Sequence, residues 1–331
     1  MCKLFALSST ARMSREQLSS TVDFVHRLYS KTQRDGFGLA LQSGHRHGAR
    51  HIERYANPKA FGGLGATPPP DARLNTPATF EVAGGVRAGG ALIVHGRTST
   101  GQVSLTNTHP FSKAGWTLAH NGVVDWHGAK HPLVTTCDSE HLLNLYAHGA
   151  GAAGLPEVSG WAAWLALTPK GRLVAGRDAV TPLHLAYVKR WRCYVLATRE
   201  EDLRAYLKSM DVKSIIIGLP DNHEARFSRD GSLYSLQPHA GLRPAAQRLY
   251  SLGAVALDRK NDYWFTPSEA QVRSDSHTVR EPSVAEVAAA ERLAEQAEAR
   301  EELRAEQSGS DTQWQRVRDW EATHFHGEGA P

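Results

Sequence analysis

A cysteine close to the start of the sequence combines the chemistry of a nucleophile and a base. If the initiator methionine is removed, Cys2 presents a thiol and a free α-amine on one residue. Their unperturbed pKa values, about 8.5 for the thiol and about 7.7 to 8.0 for the amine, let a proton pass between them near neutral pH at small cost. The simpler interpretation is that Met-Cys is only how the chain starts, so the other residues must decide.

An arginine after a buried-strand pattern could bind a carboxylate. Residues 91–94 form an apolar run of strand length, and Arg97 follows within a stretch of small hydroxyl residues that ends at Gly101. A guanidinium makes two parallel hydrogen bonds to a carboxylate, and nearby backbone amides can add more. A surface arginine beside a turn is the alternative.

Asn121 and Gly122 could form an oxyanion hole. They follow the apolar run 116–119. An asparagine amide and the N–H of a glycine, which permits close approach, can both point at one oxygen and stabilise the negative charge that develops there. An Asn-Gly hairpin turn is the alternative, because this dipeptide is typical of two-residue turns.

An aspartate lies at the predicted start of a helix. Apolar residues recur at helical spacing over residues 142–147 and stop at Gly149, which predicts a helix beginning near Asp138. Asp138 or Ser139 would cap this helix. The Asp138 carboxylate could equally hold a substrate ammonium.

Four basic residues, His45, Arg46, His47 and His51, lie close together in the sequence. A zinc site normally needs a further carboxylate or thiolate at matching spacing, and none is evident. An exposed basic loop is therefore favoured over a metal site, and no metal or other cofactor is predicted.

The elements around these residues alternate between strands and a few helices. Residues 4–7 and 37–41 have strand patterns, and a capping box at Ser14 opens an amphipathic helix between them. Another capping box is predicted at Thr198, and residues 57–79, rich in Gly and Pro, are predicted to be irregular. Further strand patterns cover residues 183–188, 193–197 and 214–217. This arrangement indicates an α+β fold.

The composition is that of a soluble globular protein. The 331 residues, 41% hydrophobic and 22% charged, can form one large domain with an appendage, or two domains. No apolar run or signal pattern indicates a membrane span or export, so we expect a cytoplasmic protein. The three cysteines are too scattered for a disulfide framework. A net charge of +4, spread along the chain, makes nucleic acid an unexpected direct ligand.

The composition changes near residue 251. Residues 283–306 are almost wholly Ala, Glu, Arg, Leu and Gln, which predicts a helix with a thin apolar stripe. Trp314, Val317 and Trp320 follow at spacings of three and could dock on the main domain or on another chain. We therefore expect a main domain over 1–250 and a helical extension over 251–331.

Several motifs together resemble those of class II glutamine amidotransferases, the N-terminal-nucleophile hydrolases that release ammonia from glutamine. They occur in the family's order over most of residues 2–200, as Met1-Cys2, Asp35-Gly36-Phe37-Gly38, the stretch from Arg97 to Gly101, Asn107-Thr108-His109-Pro110, His120-Asn121-Gly122, Asp138-Ser139-Glu140, Gly176-Arg177-Asp178 and Ala197-Thr198-Arg199-Glu200. The resemblance implies a four-layer αββα sandwich of two antiparallel sheets.

The resemblance also implies roles for the residues. Cys2 would attack the glutamine side-chain amide and form a γ-glutamyl thioester, and its α-amine would carry the proton. Asn121 and Gly122 would stabilise the oxyanion. Arg97, assisted by Thr100, would bind the α-carboxylate and Asp138 the α-ammonium of glutamine.

No second catalytic domain is recognisable in the sequence, so we expect a separate synthase partner to accept the ammonia. One alternative is a stand-alone amidase that acts on another γ-glutamyl compound. The other is a catalytically silent interaction or regulatory module on the same fold.

Overall fold

The computed structural model describes residues 2–42, 50–64, 73–75, 90–99, 103–125, 133, 135–228 and 230–243. The predicted extension over 251–331 lies outside these ranges. The strands are, in chain order, β1 (Lys3–Ser9), β2 (Gly36–Gln42), β3 (Arg50–Tyr55), β4 (Arg73–Asn75), β5 (Ala91–Arg97), β6 (Phe111–Lys113), β7 (Trp116–Asp125), β8 (Ser159–Leu167), β9 (Leu173–Arg177), β10 (His184–Val188), β11 (Cys193–Ala197), β12 (Ile216–Gly218), β13 (His223–Phe227) and β14 (Leu233–Pro238).

These strands form two sheets in which neighbouring strands are antiparallel. The first sheet has the order β12-β10-β11-β1-β5-β2-β3-β4, so β1 lies in its interior between β11 and β5. The second has the order β14-β13-β9-β8-β7-β6. Three α-helices are described, α1 (Arg15–Tyr29), α2 (Ser139–Ala147) and α3 (Glu200–Ser209), with short 3-10 helices at Pro58–Ala60 and Gly151–Glu157.

The alternation of side chains along the strands creates the layers. On β1, Phe5 and Leu7 pack with α1 and α3 on the outer face of the first sheet, whereas Leu4 and Ala6 face the second sheet. On the far side of the second sheet, the apolar residues of α2 form a third cluster. The predicted αββα sandwich is therefore confirmed.

The Ser14 capping box is present, with hydrogen bonds in both directions between Ser14 and Gln17. The capping box predicted at Thr198 is wrong, because its hydroxyl accepts a hydrogen bond from the Leu4 backbone N–H instead. The irregular segment predicted over 57–79 contains the first 3-10 helix and β4, and much of the remainder lies outside the described ranges.

The prediction of an exposed basic loop is wrong for His51. His45, Arg46 and His47 lie outside the described residues, but His51 is buried on β3 and pairs with the Glu53 carboxylate. Within the described ranges, His, Cys, Asp and Glu form no cluster that could hold a metal ion. No helix described there is long and apolar enough to cross a membrane.

Candidate active site

Cys2 lies at the entrance to β1, beside the end of β5. Lys3 pairs with Gly96 in the ladder between these strands, so one step further along Cys2 is next to Arg97. The Cys2 thiol is partly buried and donates a hydrogen bond of 3.3 Å to the Thr98 carbonyl. The backbone pairing of β1 with β5 therefore places the thiol beside the C-terminal end of β5.

Charges of both signs act on this thiol. Burial raises the pKa of Cys2, the positive charge of Arg97 lowers it, and the negative charge of Asp138 raises it. The same two charges act on the thiol of Cys137, whose pKa burial raises to about 12. Residues from three distant parts of the sequence therefore share one electrostatic environment around the candidate nucleophile.

Arg97 is the last residue of β5 and is 7% exposed, so it is not the surface arginine of the alternative interpretation. Its guanidinium donates to the Asp35 carbonyl at 3.4 Å. Asp35 in turn accepts the Ser99 backbone N–H on its carboxylate, at 2.7 Å. These bonds tie the segment that leaves β5 to the residue preceding β2. Thr100 lies outside the described residues.

Asn121 and Gly122 lie inside β7 and do not form a hairpin turn. The strand continues to Asp125, and the two residues pair with Ala163 and Ala162 of β8. Gly122 has φ +147, and a Cβ atom there would lie 2.0 Å from the Trp161 carbonyl oxygen, so the backbone approach of β8 requires glycine. Asn121 is buried, and its Oδ1 has no hydrogen-bond partner among the described residues.

The loop after β9 supports the β8 segment that faces Gly122. The Asp178 carboxylate accepts the Ala162 backbone N–H at 3.0 Å, and its other oxygen accepts the N–H groups of Val180 and Thr181 at 2.8 and 2.6 Å. Asp178 is 4% exposed. Its contribution is therefore to hold β8 in place behind the candidate oxyanion hole.

Asp138 precedes α2 but makes no side-chain capping bond, so the predicted capping role is wrong for this residue. Its Oδ2 instead accepts the Val124 backbone N–H at 3.0 Å and lies 3.6 Å from His120 Nε2. The side chain is 34% exposed. The carboxylate is thus joined to β7 two residues beyond Gly122, with part of its surface open to a ligand.

A cluster of histidines beside these residues was not anticipated from the sequence. His95, His109 and His120 are all buried, with ring centroids 4.0 Å apart between the first two and 5.6 Å apart between the last two. The motifs that contain His109 and His120 are recognisable in the sequence, but their spacing gives no sign that the rings meet. A Cβ atom at Gly38 would lie 2.0 Å from the His109 carbonyl oxygen, so β2 packs closely on this loop.

Comparisons with known proteins agree with this architecture. The sequence matches no family model and none of the curated proteins. A solved structure titled as the allosteric regulatory enzyme of purine biosynthesis matches with a TM-score of 0.50 and 18% identity over 70% of this chain and 48% of that one. Glutamine phosphoribosylpyrophosphate amidotransferase from B. subtilis matches with a TM-score of 0.48 and 16% identity over 71% and 48%.

A glutamine aminotransferase class-II domain protein from Silicibacter pomeroyi matches with a TM-score of 0.37 and 16% identity over 73% of this chain and all (100%) of that one. The match spans about half (48%) of the length of the first two enzymes. The predicted resemblance to class II glutamine amidotransferases is confirmed at the level of the fold.

Proposed function

We propose that this chain hydrolyses the side-chain amide of glutamine through a γ-glutamyl thioester on Cys2. The observation that carries the proposal is the convergence of Arg97 and Asp138 on Cys2: the strand pairing places Cys2 beside Arg97, and the charges of Arg97 and Asp138 both act on the Cys2 thiol, although the three residues lie far apart in sequence. A thiol between a buried cation and a partly exposed carboxylate suits a substrate that carries both an α-carboxylate and an α-ammonium.

In the proposed reaction, the Cys2 sulfur attacks the carbon of the side-chain amide. With Met1 removed, the α-amine of Cys2 takes the thiol proton and later gives it to the departing ammonia. Burial raises the pKa of the thiol, so the thiolate needs an adjacent base. Water then attacks the thioester carbon, which releases glutamate and restores the thiol.

Asn121, Gly122, Arg97 and Asp138 are assigned by charge and position, and Thr100 by the resemblance of its motif alone. Asn121 and the backbone N–H of Gly122 stabilise the oxyanion of the tetrahedral intermediate, Arg97 binds the α-carboxylate, with Thr100 assisting it, and Asp138 binds the α-ammonium. Because both the α-carboxylate and the α-ammonium are bound, and glutamine within a peptide lacks these free groups, free glutamine is preferred.

We further propose that the ammonia passes to an acceptor on a separate synthase protein. The main domain over 1–250 would act as the glutaminase, and the extension over 251–331 would dock the partner. Deleting 251–331 should leave glutamine hydrolysis intact and abolish its coupling to the acceptor. Loss of both activities, or of neither, would contradict this division of roles.

Intact mass spectrometry tests the nucleophile directly. The purified protein is weighed before and after treatment with diazo-oxo-norleucine, an electrophile that mimics glutamine. We expect a mass without Met1 and one adduct, which persists in Cys193→Ala and disappears in Cys2→Ala. Cys193 is a suitable control because it is a buried cysteine on β11, within the hydrophobic core beneath α1 and α3.

Two outcomes of the mass measurement would contradict the proposal. A protein that retains Met1 and forms no adduct has no free N-terminal nucleophile. An adduct that remains in Cys2→Ala would place the reactive thiol elsewhere.

A further inference from the structure

The hydroxyl of Ser139 joins the buried histidine cluster to the start of α2. Its Oγ is hydrogen-bonded to His109 Nε2 and lies 2.7 Å from His120 Nδ1. It also lies 3.2 Å from Cys137 Sγ. Ser139 is fully buried, so these contacts are made away from solvent.

The far side of His120 faces Asp138. His120 Nε2 is 3.6 Å from Asp138 Oδ2 and has no hydrogen-bond partner among the described residues. The same carboxylate oxygen accepts the Val124 N–H, and Cys137 Sγ lies 3.7 Å from Oδ1. A hydrogen on His120 Nε2 would make this contact attractive, whereas a lone pair there would oppose the carboxylate.

Once the hydrogen is placed on His120 Nε2, as its contact with Asp138 favours, the directions of the hydrogen bonds between the neutral rings follow. A neutral imidazole has one N–H and one accepting nitrogen, and a hydroxyl has one hydrogen to donate. If His120 carries its hydrogen on Nε2, its Nδ1 must accept the Ser139 hydrogen. The Ser139 oxygen then accepts the hydrogen on His109 Nε2.

The environment of His109 supports a neutral ring. Burial lowers the pKa of His109, and the neighbouring His95, His120 and Arg97 act in the same direction. Burial likewise lowers the pKa of His95, whose ring lies beside that of His109 with 4.0 Å between the centroids. His109 is therefore neutral and carries one ring hydrogen. The position of that hydrogen sets the direction of its hydrogen bond with Ser139.

We infer that His109, Ser139 and His120 form a directed hydrogen-bond chain that turns the His120 Nε2 hydrogen toward the Asp138 carboxylate, 3.6 Å away, and orients that carboxylate electrostatically. This inference rests on the proposed function for its role, since Asp138 is the group that would bind the substrate α-ammonium. Ser139 and His120 are then positioning residues. They act by fixing the His120 tautomer, as outer hydrogen bonds fix the ring orientation of ligating histidines.

Nuclear magnetic resonance of the full chain with ¹⁵N-labelled histidine tests the chain of hydrogen bonds without an activity assay. The His120 signals are assigned by their loss in His120→Gln. We expect the Nε2–H tautomer in the wild-type protein and a mixture of tautomers in Ser139→Ala. A wild-type His120 that is protonated on Nδ1, or on both nitrogens, would overturn the inference, as would an unchanged tautomer in Ser139→Ala.

Glutamine hydrolysis then tests the role. In Ser139→Ala we expect the KM for glutamine to rise about three- to tenfold, the effect of weakening one hydrogen-bonded group, with kcat within about twofold. Ser8→Ala is the matched control, because Ser8 is equally buried and donates to Gly231 O at 3.0 Å. Equal effects in the two variants, or a fall in kcat alone, would refute a positioning role.

The proposed function and the proposed hydrogen-bond chain can be contradicted independently of each other. Absence of a Cys2 adduct would remove the glutamine chemistry and leave the tautomer result standing. A normal adduct with the wrong tautomer would retain the glutaminase and remove the hydrogen-bond chain.

Discussion

The Asn121 side chain is 2% exposed on β7, next to the glycine that faces Trp161 and Ala162. If its amide donates to the oxyanion, Asn121→Ala should lower kcat about 10²- to 10³-fold, because a donor that acts mainly in the transition state is lost. The KM for glutamine should change much less. Steady-state release of glutamate measures both constants.

A buried asparagine elsewhere provides the control. Asn144 on α2 is 1% exposed and accepts a hydrogen bond from Lys113 Nζ at 2.7 Å. Asn144→Ala should alter stability while kcat stays within a few-fold of the wild type. A comparable loss of kcat in both variants would show that Asn121 contributes only to packing.

Gly122 allows a paired test of backbone approach. We expect Gly122→Ala to lower the free energy of unfolding by more than about 2 kcal/mol, because its Cβ would overlap the Trp161 carbonyl. Gly218→Ala on β12 should change it by less than about 0.5 kcal/mol, since a Cβ there meets no atom within 4 Å. Urea unfolding compares the two, and similar losses would mean that β8 can move away.

At the scale of single residues, the sequence predicts chemical types better than contacts. The Asn-Gly dipeptide favours a turn locally, but pairing with β8 keeps it within a strand. Asp138 is recognisable from its place before a helix, yet its hydrogen bond to Val124 joins residues 14 positions apart. The histidine cluster depends on three separate segments, so no local pattern reveals it.

The start of β1 is anchored to α1 and α3. Lys3 Nζ lies 3.2 Å from Asp202 Oδ1, with both side chains almost fully buried. The Leu4 carbonyl accepts the Tyr29 hydroxyl at 2.8 Å, and the Leu4 N–H donates to Thr198 Oγ1 at 3.2 Å. The strand that carries the candidate nucleophile is therefore held by contacts on its helix side.

Removing one partner of the buried ion pair tests this anchor. Asp202→Asn leaves the Lys3 ammonium buried without its counter-charge, and we expect a loss of about 3 to 5 kcal/mol in the free energy of unfolding. Chemical denaturation measures the loss.

The matched control is Glu200→Gln on the same helix. Glu200 pairs with Arg204, but their side chains are 41% and 70% exposed. An exposed pair of this kind contributes about 0.5 kcal/mol or less. If Asp202→Asn proved no more damaging than Glu200→Gln, β1 would not depend on the ion pair.

Helices and strands were predicted well where one side of an element is apolar. The helical spacing after Ser14 and the apolar runs of β1, β2 and β5 are direct consequences of burial on a sheet or helix face. The error at Thr198 has the same physical origin as the error at Asp138. A short polar side chain can bond either its own helix or a neighbouring strand, and only the tertiary structure decides.

For the molecule as a whole, burial of neutral histidines makes stability depend on pH. The pKa values of His95 and His109 are lowered well below their usual value, so the unfolded chain binds more protons than the folded one in mildly acidic solution. Their contribution is complete above a pH of about 6.5 and is lost as the pH falls. Each can contribute up to about 1.4 kcal/mol per pH unit.

Urea unfolding at pH 7.5 and pH 5.5 measures this dependence. We expect lower stability at pH 5.5 in the wild type and a smaller difference in His95→Gln, which lacks one of the two groups. An equal difference in both proteins would assign the pH dependence to other residues.

The layered architecture could be predicted from the sequence only in part. Alternating strands with few helices indicate α+β, but the stacking of two sheets came from the resemblance of ordered motifs. Strand order is set by distant pairings such as β1 with β11, which periodicity does not encode. The contacts between the sheets could not have been derived from pattern alone.

The candidate site is divided between the two sheets, and this has a consequence for folding. Cys2 immediately precedes β1 and Arg97 ends β5, both strands of the first sheet, whereas Asn121 and Gly122 belong to the second sheet. An intermediate with either sheet formed alone would have the circular dichroism of strands but no assembled site. During refolding, the reaction of Cys2 with diazo-oxo-norleucine should therefore return only when the two sheets dock. It should lag behind the return of secondary structure measured by circular dichroism.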